Sequence, residues 1–152
     1  MFDRILVPVD GSSESRAAAR QALQLARELR AAVVALHVAP PFQTRYFEDF
    51  IPPPDATQEL WQAGLRNVAE RYFKPIKDEA QELGVALDTD VVFDERPGDA
   101  IGAAALEHDC SLIVIGPRGR GGVARYLLGS VTTRVLGATS VPVLVHRAGP
   151  AG

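Results

Sequence analysis

One cysteine, one methionine and one tryptophan stand in a chain of 152 residues. With Cys110 alone, no disulfide framework can form within the chain, and a reducing cytoplasm is the expected location. Its place just ahead of an apolar run marks Cys110 as a buried, unreactive thiol. No apolar run reaches the ~20 residues a membrane helix needs, so no membrane partner is expected. The opening residues Phe2-Asp3-Arg4-Ile5-Leu6-Val7 are too short and too charged to read as a secretion signal. No sign of charge dominates: 16 Lys+Arg are mixed with 19 Asp+Glu, for a net charge of −3. That excludes the global basic field that attracts nucleic acid. His108 and His146 are far apart in the sequence and share no metal-ligand spacing with cysteine or acidic residues, so no metal site built by protein groups alone is expected. His37 reads as a core histidine satisfied by backbone. No Ser-His-Asp arrangement is indicated, and no Gly-Lys-Ser/Thr phosphate motif exists, so no catalytic residue is assigned.

What is present is an alternation of short apolar runs and amphipathic stretches within one domain's length. Residues 4–9, 32–38 and 112–115 are near-continuous apolar runs, as buried parallel strands require. Residues 85–93 alternate like an edge strand with one wet face, and Val141-Pro142-Val143-Leu144-Val145 closes the series. Between them, Ala18, Ala22, Leu25, Ala26 and Leu29 form a helical stripe after the turn Asp10-Gly11-Ser12-Ser13. A second helix resumes near Gln58 and ends at Gly84, with Pro75 predicted to kink or split it. A third starts at Pro97. A fourth places Val123, Leu127, Val131 and Val135 on one face. Residues 39–57, with Pro40, Pro41, Pro52, Pro53 and Pro54, form an irregular insertion. One domain over 1–147 with a flexible tail at 148–152 is expected. Strands joined by crossover helices give a single doubly wound α/β domain: a five-stranded parallel sheet with helices on both faces. Ligands bind such sheets beyond the carboxyl ends of the strands, where the winding reverses.

The fourth strand leads into Gly116-Pro117-Arg118-Gly119, then nine residues, then Gly129-Ser130. Gly116 and Gly119 permit positive φ and close backbone approach to a ligand. Backbone N–H groups of such a turn can form an anion nest. Gly129 and Ser130 fall where a helix begins, and its free N–H groups favour phosphate. Ser130 and Thr132 offer hydroxyls, and Arg118, Arg120 and Arg125 add positive charge. The alternative is that these glycines serve tight turns only. Gly119-x-Gly121-x-x-Ala124 superficially resembles a dinucleotide fingerprint, but it follows the fourth strand rather than the first. No acidic residue lies after Asp109 to hold a ribose there.

The opening Phe2–Ser12, the stretch Val114–Val131 and the closing Val141–Val145 resemble the universal stress protein family. The resemblance covers nearly the whole chain; the insertion at 39–57 is its least typical part. It implies an adenine nucleotide alpha hydrolase-like sheet, a homodimer formed partly through the last strand (Val141–Val145), and a role in stress survival. The complete Gly-x2-Gly-x9-Gly-Ser pattern is that of the members that bind ATP rather than those that do not. AMP and ADP remain open as ligands, with Mg²⁺ arriving on the phosphates. Carried over by position, Asp10 lies near the phosphates or a divalent ion. Pro8, Val9, Val38 and Ala39 meet the adenine and ribose. Gly116, Arg118, Gly119, Gly129, Ser130, Val131 and Thr132 hold ribose and phosphates. Pro117 stands where the family often has a small polar residue, which removes one N–H donor. Three functions stay open: a regulatory nucleotide-binding module that is not an enzyme, a slow ATPase, and a nucleotide-free interaction protein.

Overall fold

The computed structural model describes residues 1–42, 55, 57–119 and 127–148. Its strands are β1 (Arg4–Pro8), β2 (Ala32–Ala39), β3 (Leu87–Phe93), β4 (Leu112–Ile115) and β5 (Val143–Val145). The helices are α1 (Ser13–Leu29), α2 (Gln58–Leu83), α3 (Pro97–Glu107) and α4 (Ser130–Ala138). All neighbouring strands pair in parallel, in the order β3-β2-β1-β4-β5. The doubly wound α/β sheet read from the sequence is therefore the observed one.

Strand alternation divides the core into two layers. On one face Ile5, Val7, Val33 and Ala35 pack against Ala18, Ala22 and Ala26 of α1 and against Ala69, Phe73 and Ile76 of α2. On the other, Leu6, Val34, Leu36 and Ile113 pack against Ile101, Ala104 and Ala105 of α3 and Val135 of α4. The alanines bring α1 and α3 close to the sheet. Helix α1 begins where the Ser12 hydroxyl accepts from the Ser15 N–H, and it ends at Arg30 in the left-handed region (φ 57, ψ 38). Cys110 is buried, as read, and burial pushes its thiol above the ordinary range.

Four expectations need adjustment. Helix α2 is not split at Pro75: it runs continuously from Gln58 to Leu83. Buried Ala69 and Phe73 before the proline, and Ile76 and Ala80 after it, hold both halves against the sheet. Such packing outweighs the ~3 kcal/mol a helical proline costs. Helix α4 starts only at Ser130, so Leu127 precedes it and is 59% exposed, off the predicted stripe; Val123 lies outside the described residues. Strand β3 starts at Leu87 rather than 85, and it lies on the sheet edge as predicted. Strand β5 is shorter than the predicted 141–145, although the Pro142 carbonyl still accepts from the Ile113 N–H at 2.9 Å.

The insertion read at 39–57 lies mostly outside the described residues. At its near end, the Trp61 indole N–H donates to the Pro40 carbonyl at 3.1 Å, and the Phe42 ring meets the Trp61 ring edge-on.

Candidate functional site

From β1 the chain winds outward to β2 and β3, then returns beside β1 as β4 and continues to β5. The reversal lies between β1 and β4, where the connections leave on opposite faces and a crevice opens. A cavity of about 180 Å³ occupies that crevice. Three strand ends wall it: Pro8 of β1 with Val9 and Asp10 beyond it, Leu36, His37 and Val38 of β2, and Ile115 of β4 with Gly116 beyond it. Arg118 and Gly119 of the following loop, with Val131 and Thr132 of α4, complete the rim. Ser15, Pro97 and Ile101 also line it.

Backbone fixation is dense at the end of β1. The Val9 N–H donates to the Leu36 carbonyl at 2.7 Å. The His37 ring contacts the Val9 carbonyl through Nδ1, also at 2.7 Å. The Asp10 N–H donates to Ser15 Oγ, and the Asp10 carboxylate accepts from the Ser12 N–H at 2.9 Å. Asp10 is thus a turn residue whose carboxylate faces the loop after β4. Ser12, not Asp10, caps α1.

The loop glycines work differently from the sequence reading. Among the described glycines, positive φ occurs at Gly11 (84) and Gly84 (69), not at Gly116 or Gly119. Those two are needed for room. A Cβ on Gly116 would stand 3.2 Å from the Glu14 carbonyl oxygen, and one on Gly119 would run into the Asp10 carboxylate. The first turn of α1 and the loop after β4 are therefore pressed together at the rim.

Nine predicted residues meet at the cavity: Pro8, Val9, Asp10, Val38, Gly116, Arg118, Gly119, Val131 and Thr132. Three do not line it. Ala39 is fully buried against Trp61 and Leu65, because its side chain points to the α2 side. Gly129 spends its N–H on the Pro117 carbonyl at 2.7 Å, and a Cβ there would sit 3.0 Å from the Arg118 Cα. Ser130 opens α4 and faces an adjoining cavity of about 360 Å³ that shares Pro97 and Val131 with the first. Arg120 and Arg125 lie outside the described residues. Two lining residues already have protein duties. The Thr132 hydroxyl donates to the Gly116 carbonyl at 2.8 Å and is buried there. Arg118 pairs with Glu14 at 2.8 Å, with side chains 18% and 27% exposed. The sequence reading missed Ser15, Leu36, Pro97, Ile101 and Ile115 as lining residues and took His37 for a core residue only. Ser15, three residues after the cap, carried a local signal; the apolar ones carried none.

An open parallel sheet with a crevice at its winding reversal, rimmed by close-approach glycines, defines a doubly wound α/β protein with a candidate ligand site. A sequence model of the universal stress protein family matches residues 1–147, and the chain belongs to that family. A universal stress protein of Methanocaldococcus jannaschii is 33% identical over 149 residues, covering 95% of this chain and 82% of its own. The crystal structure of a family member from Burkholderia pseudomallei superposes with a TM-score of 0.73 at 27% identity, over 97% of each chain. Two structures below that identity share the fold. One is a universal stress protein in complex with cAMP (TM-score 0.68, 23% identical, 96% and 97% covered). The other is the Archaeoglobus fulgidus protein in complex with dAMP (TM-score 0.65, 22% identical, 97% and 100% covered).

Proposed function

We propose that this protein binds an adenine nucleotide, ATP in the first place, and acts as a regulatory module in the cytoplasm rather than as an enzyme. One observation carries the reading. Nine of the twelve residues assigned to the nucleotide from sequence converge on one cavity at the winding reversal. Its volume of about 180 Å³ is below that of a typical drug-sized pocket, and its walls are mainly apolar. It would take the flat base, with the ribose and phosphates reaching outward past Gly116, Arg118 and Gly119. The cAMP and dAMP complexes of proteins with this fold support the same ligand class. Pro8, Val9 and Val38 would face the base and ribose, with Ala39 contributing backbone. Gly116, Arg118, Gly119, Gly129, Ser130 and Val131 would face ribose and phosphates. Mg²⁺ would arrive with the phosphates and meet Asp10.

The homodimer belongs to the same proposal. Strand β5 has a neighbour on one side only, and Leu144 on it and Leu136 on α4 are 38% and 44% exposed. An apolar edge of this kind is a liability unless a second copy covers it.

The test is direct. Purified protein is denatured and its supernatant assayed for adenine nucleotide, and the native protein is titrated calorimetrically with Mg-ATP and AMP. Binding of at least one of them is expected. Gly119→Val should abolish it with the fold retained, because the new side chain collides with Asp10. Absence of any adenine nucleotide affinity refutes the reading, as does undiminished binding by the valine variant. Incubation with Mg-ATP separates module from enzyme: turnover above about one per minute, against a typical kcat of about 10 per second, would speak for catalysis.

A further inference from the structure

The backbone ladder between β1 and β2 ends at the pair Pro8↔Leu36. One residue further on, the Val9 N–H still reaches the Leu36 carbonyl. The Val9 carbonyl instead meets a side chain, the His37 imidazole, at 2.7 Å. A carbonyl oxygen can only accept, so the ring donates through Nδ1–H. His37 is 2% exposed, and the Tyr72 ring of α2 stands edge-on to it, with centroids 5.2 Å apart at 77°. The ring is thereby fixed in orientation, with a proton on Nδ1. It also lines the cavity beside Val9 and Asp10.

We infer that His37 is a positioning residue of the nucleotide site. It holds the end of β1 in place of a missing ladder bond and so aims Val9 and Asp10 at the ligand. The inference rests on the nucleotide reading above. Its physical content is that a site loses affinity steeply when its contact groups shift by a fraction of an ångström. Val9 and Asp10 lead directly into the turn closed by the Ser12 N–H and Ser15 Oγ. A slack Val9 carbonyl would free that turn to move away from Gly119. Burial alone does not explain His37: an apolar residue would fill the same space between Tyr72 and the strand end, without supplying a donor.

Two amide substitutions separate positioning from packing. In His37→Asn the side-chain N–H₂ falls where Nδ1 was and can donate to Val9. In His37→Gln the amide reaches the place of Nε2 and leaves the Val9 carbonyl without a partner. Each variant is checked for folding by circular dichroism and thermal unfolding, then titrated with Mg-ATP and with AMP. The asparagine variant should keep affinity within about threefold of the parent. The glutamine variant should lose about tenfold or more, the size of effect expected when a buried hydrogen bond that orients the site is removed. A folded glutamine variant that binds like the parent overturns the inference. So does a folded asparagine variant that binds tenfold more weakly, and this holds whether or not the glutamine variant folds. A parent protein with no affinity for either nucleotide is a different result: it overturns the nucleotide reading itself, and the inference falls with it.

Discussion

Thr132 separates a structural hydroxyl from a ligand-binding one. Its Oγ1 donates to the Gly116 carbonyl at 2.8 Å, and the residue is 2% exposed. Thr132→Val keeps the shape and removes the donor, leaving a buried carbonyl at the very start of the loop without that bond. An unsatisfied buried acceptor costs about 1–3 kcal/mol. The added methyl returns part of this, since a buried methylene-sized group is worth about 0.8 kcal/mol. From the middle of that range the net loss should be about 1 kcal/mol. With a urea m-value of about 1–3 kcal/mol/M for small proteins, the midpoint should fall by roughly 0.3–1 M. The assay is urea unfolding followed by far-ultraviolet circular dichroism, with Thr132→Ser as a control that keeps the hydroxyl. A valine variant within about 0.5 kcal/mol of the parent would refute the reasoning. It would mean that the loop carbonyl finds water or another donor at no cost, and that the hydroxyl is available to a ligand after all.

Arg30→Gly should raise stability by about 0.5–1 kcal/mol, because the left-handed cap costs a non-glycine residue about 1–2 kcal/mol and glycine's extra freedom offsets part of the gain; a thermal melt should rise by a few degrees. Gly84→Ala at the matching cap of α2 should lose about 1 kcal/mol through backbone strain alone, since a Cβ there meets nothing within 4 Å. Burial raises the Cys110 thiol above its ordinary value of 9.0, so the fold favours the neutral thiol. Its stabilising contribution is intact below that value and declines as pH rises through the folded-state value. Thiol labelling should therefore be slow in the native protein and fast in urea.

The fold was legible because its strands are short, apolar and separated by helix-period stripes. Leu112-Ile113-Val114-Ile115 can be little else than a central strand, and it is fully buried. What local pattern could not supply was tertiary. Pro75 looked like a break because propensity speaks for one turn at a time, while Phe73 and Ile76 bind the helix to the sheet on either side of it. The glycine spacing located the cavity rim, but not the reason for it. The backbone at Gly116 is crowded by Glu14, a residue 102 positions earlier, and no reading of the loop alone reveals that neighbour. In the same way Arg118 looked like a phosphate ligand, and its Glu14 partner became visible only once α1 was docked beside β4. His37 showed its role only where β1 and β2 part.

Because every strand points the same way, the chain after β2 and the chain after β4 emerge on one side of the molecule. Val38 near the end of β2 and Gly116 just beyond β4 thus wall one cavity, although 78 positions apart in sequence. Among the described residues, the layers beneath meet the chain past these strands at few points: the Thr132 hydroxyl on the Gly116 carbonyl and the Trp61 indole on the Pro40 carbonyl. Changes of sequence beyond the strand ends can therefore recast the cavity mouth while the alanine-lined layers of α1 and α3 stay as they are.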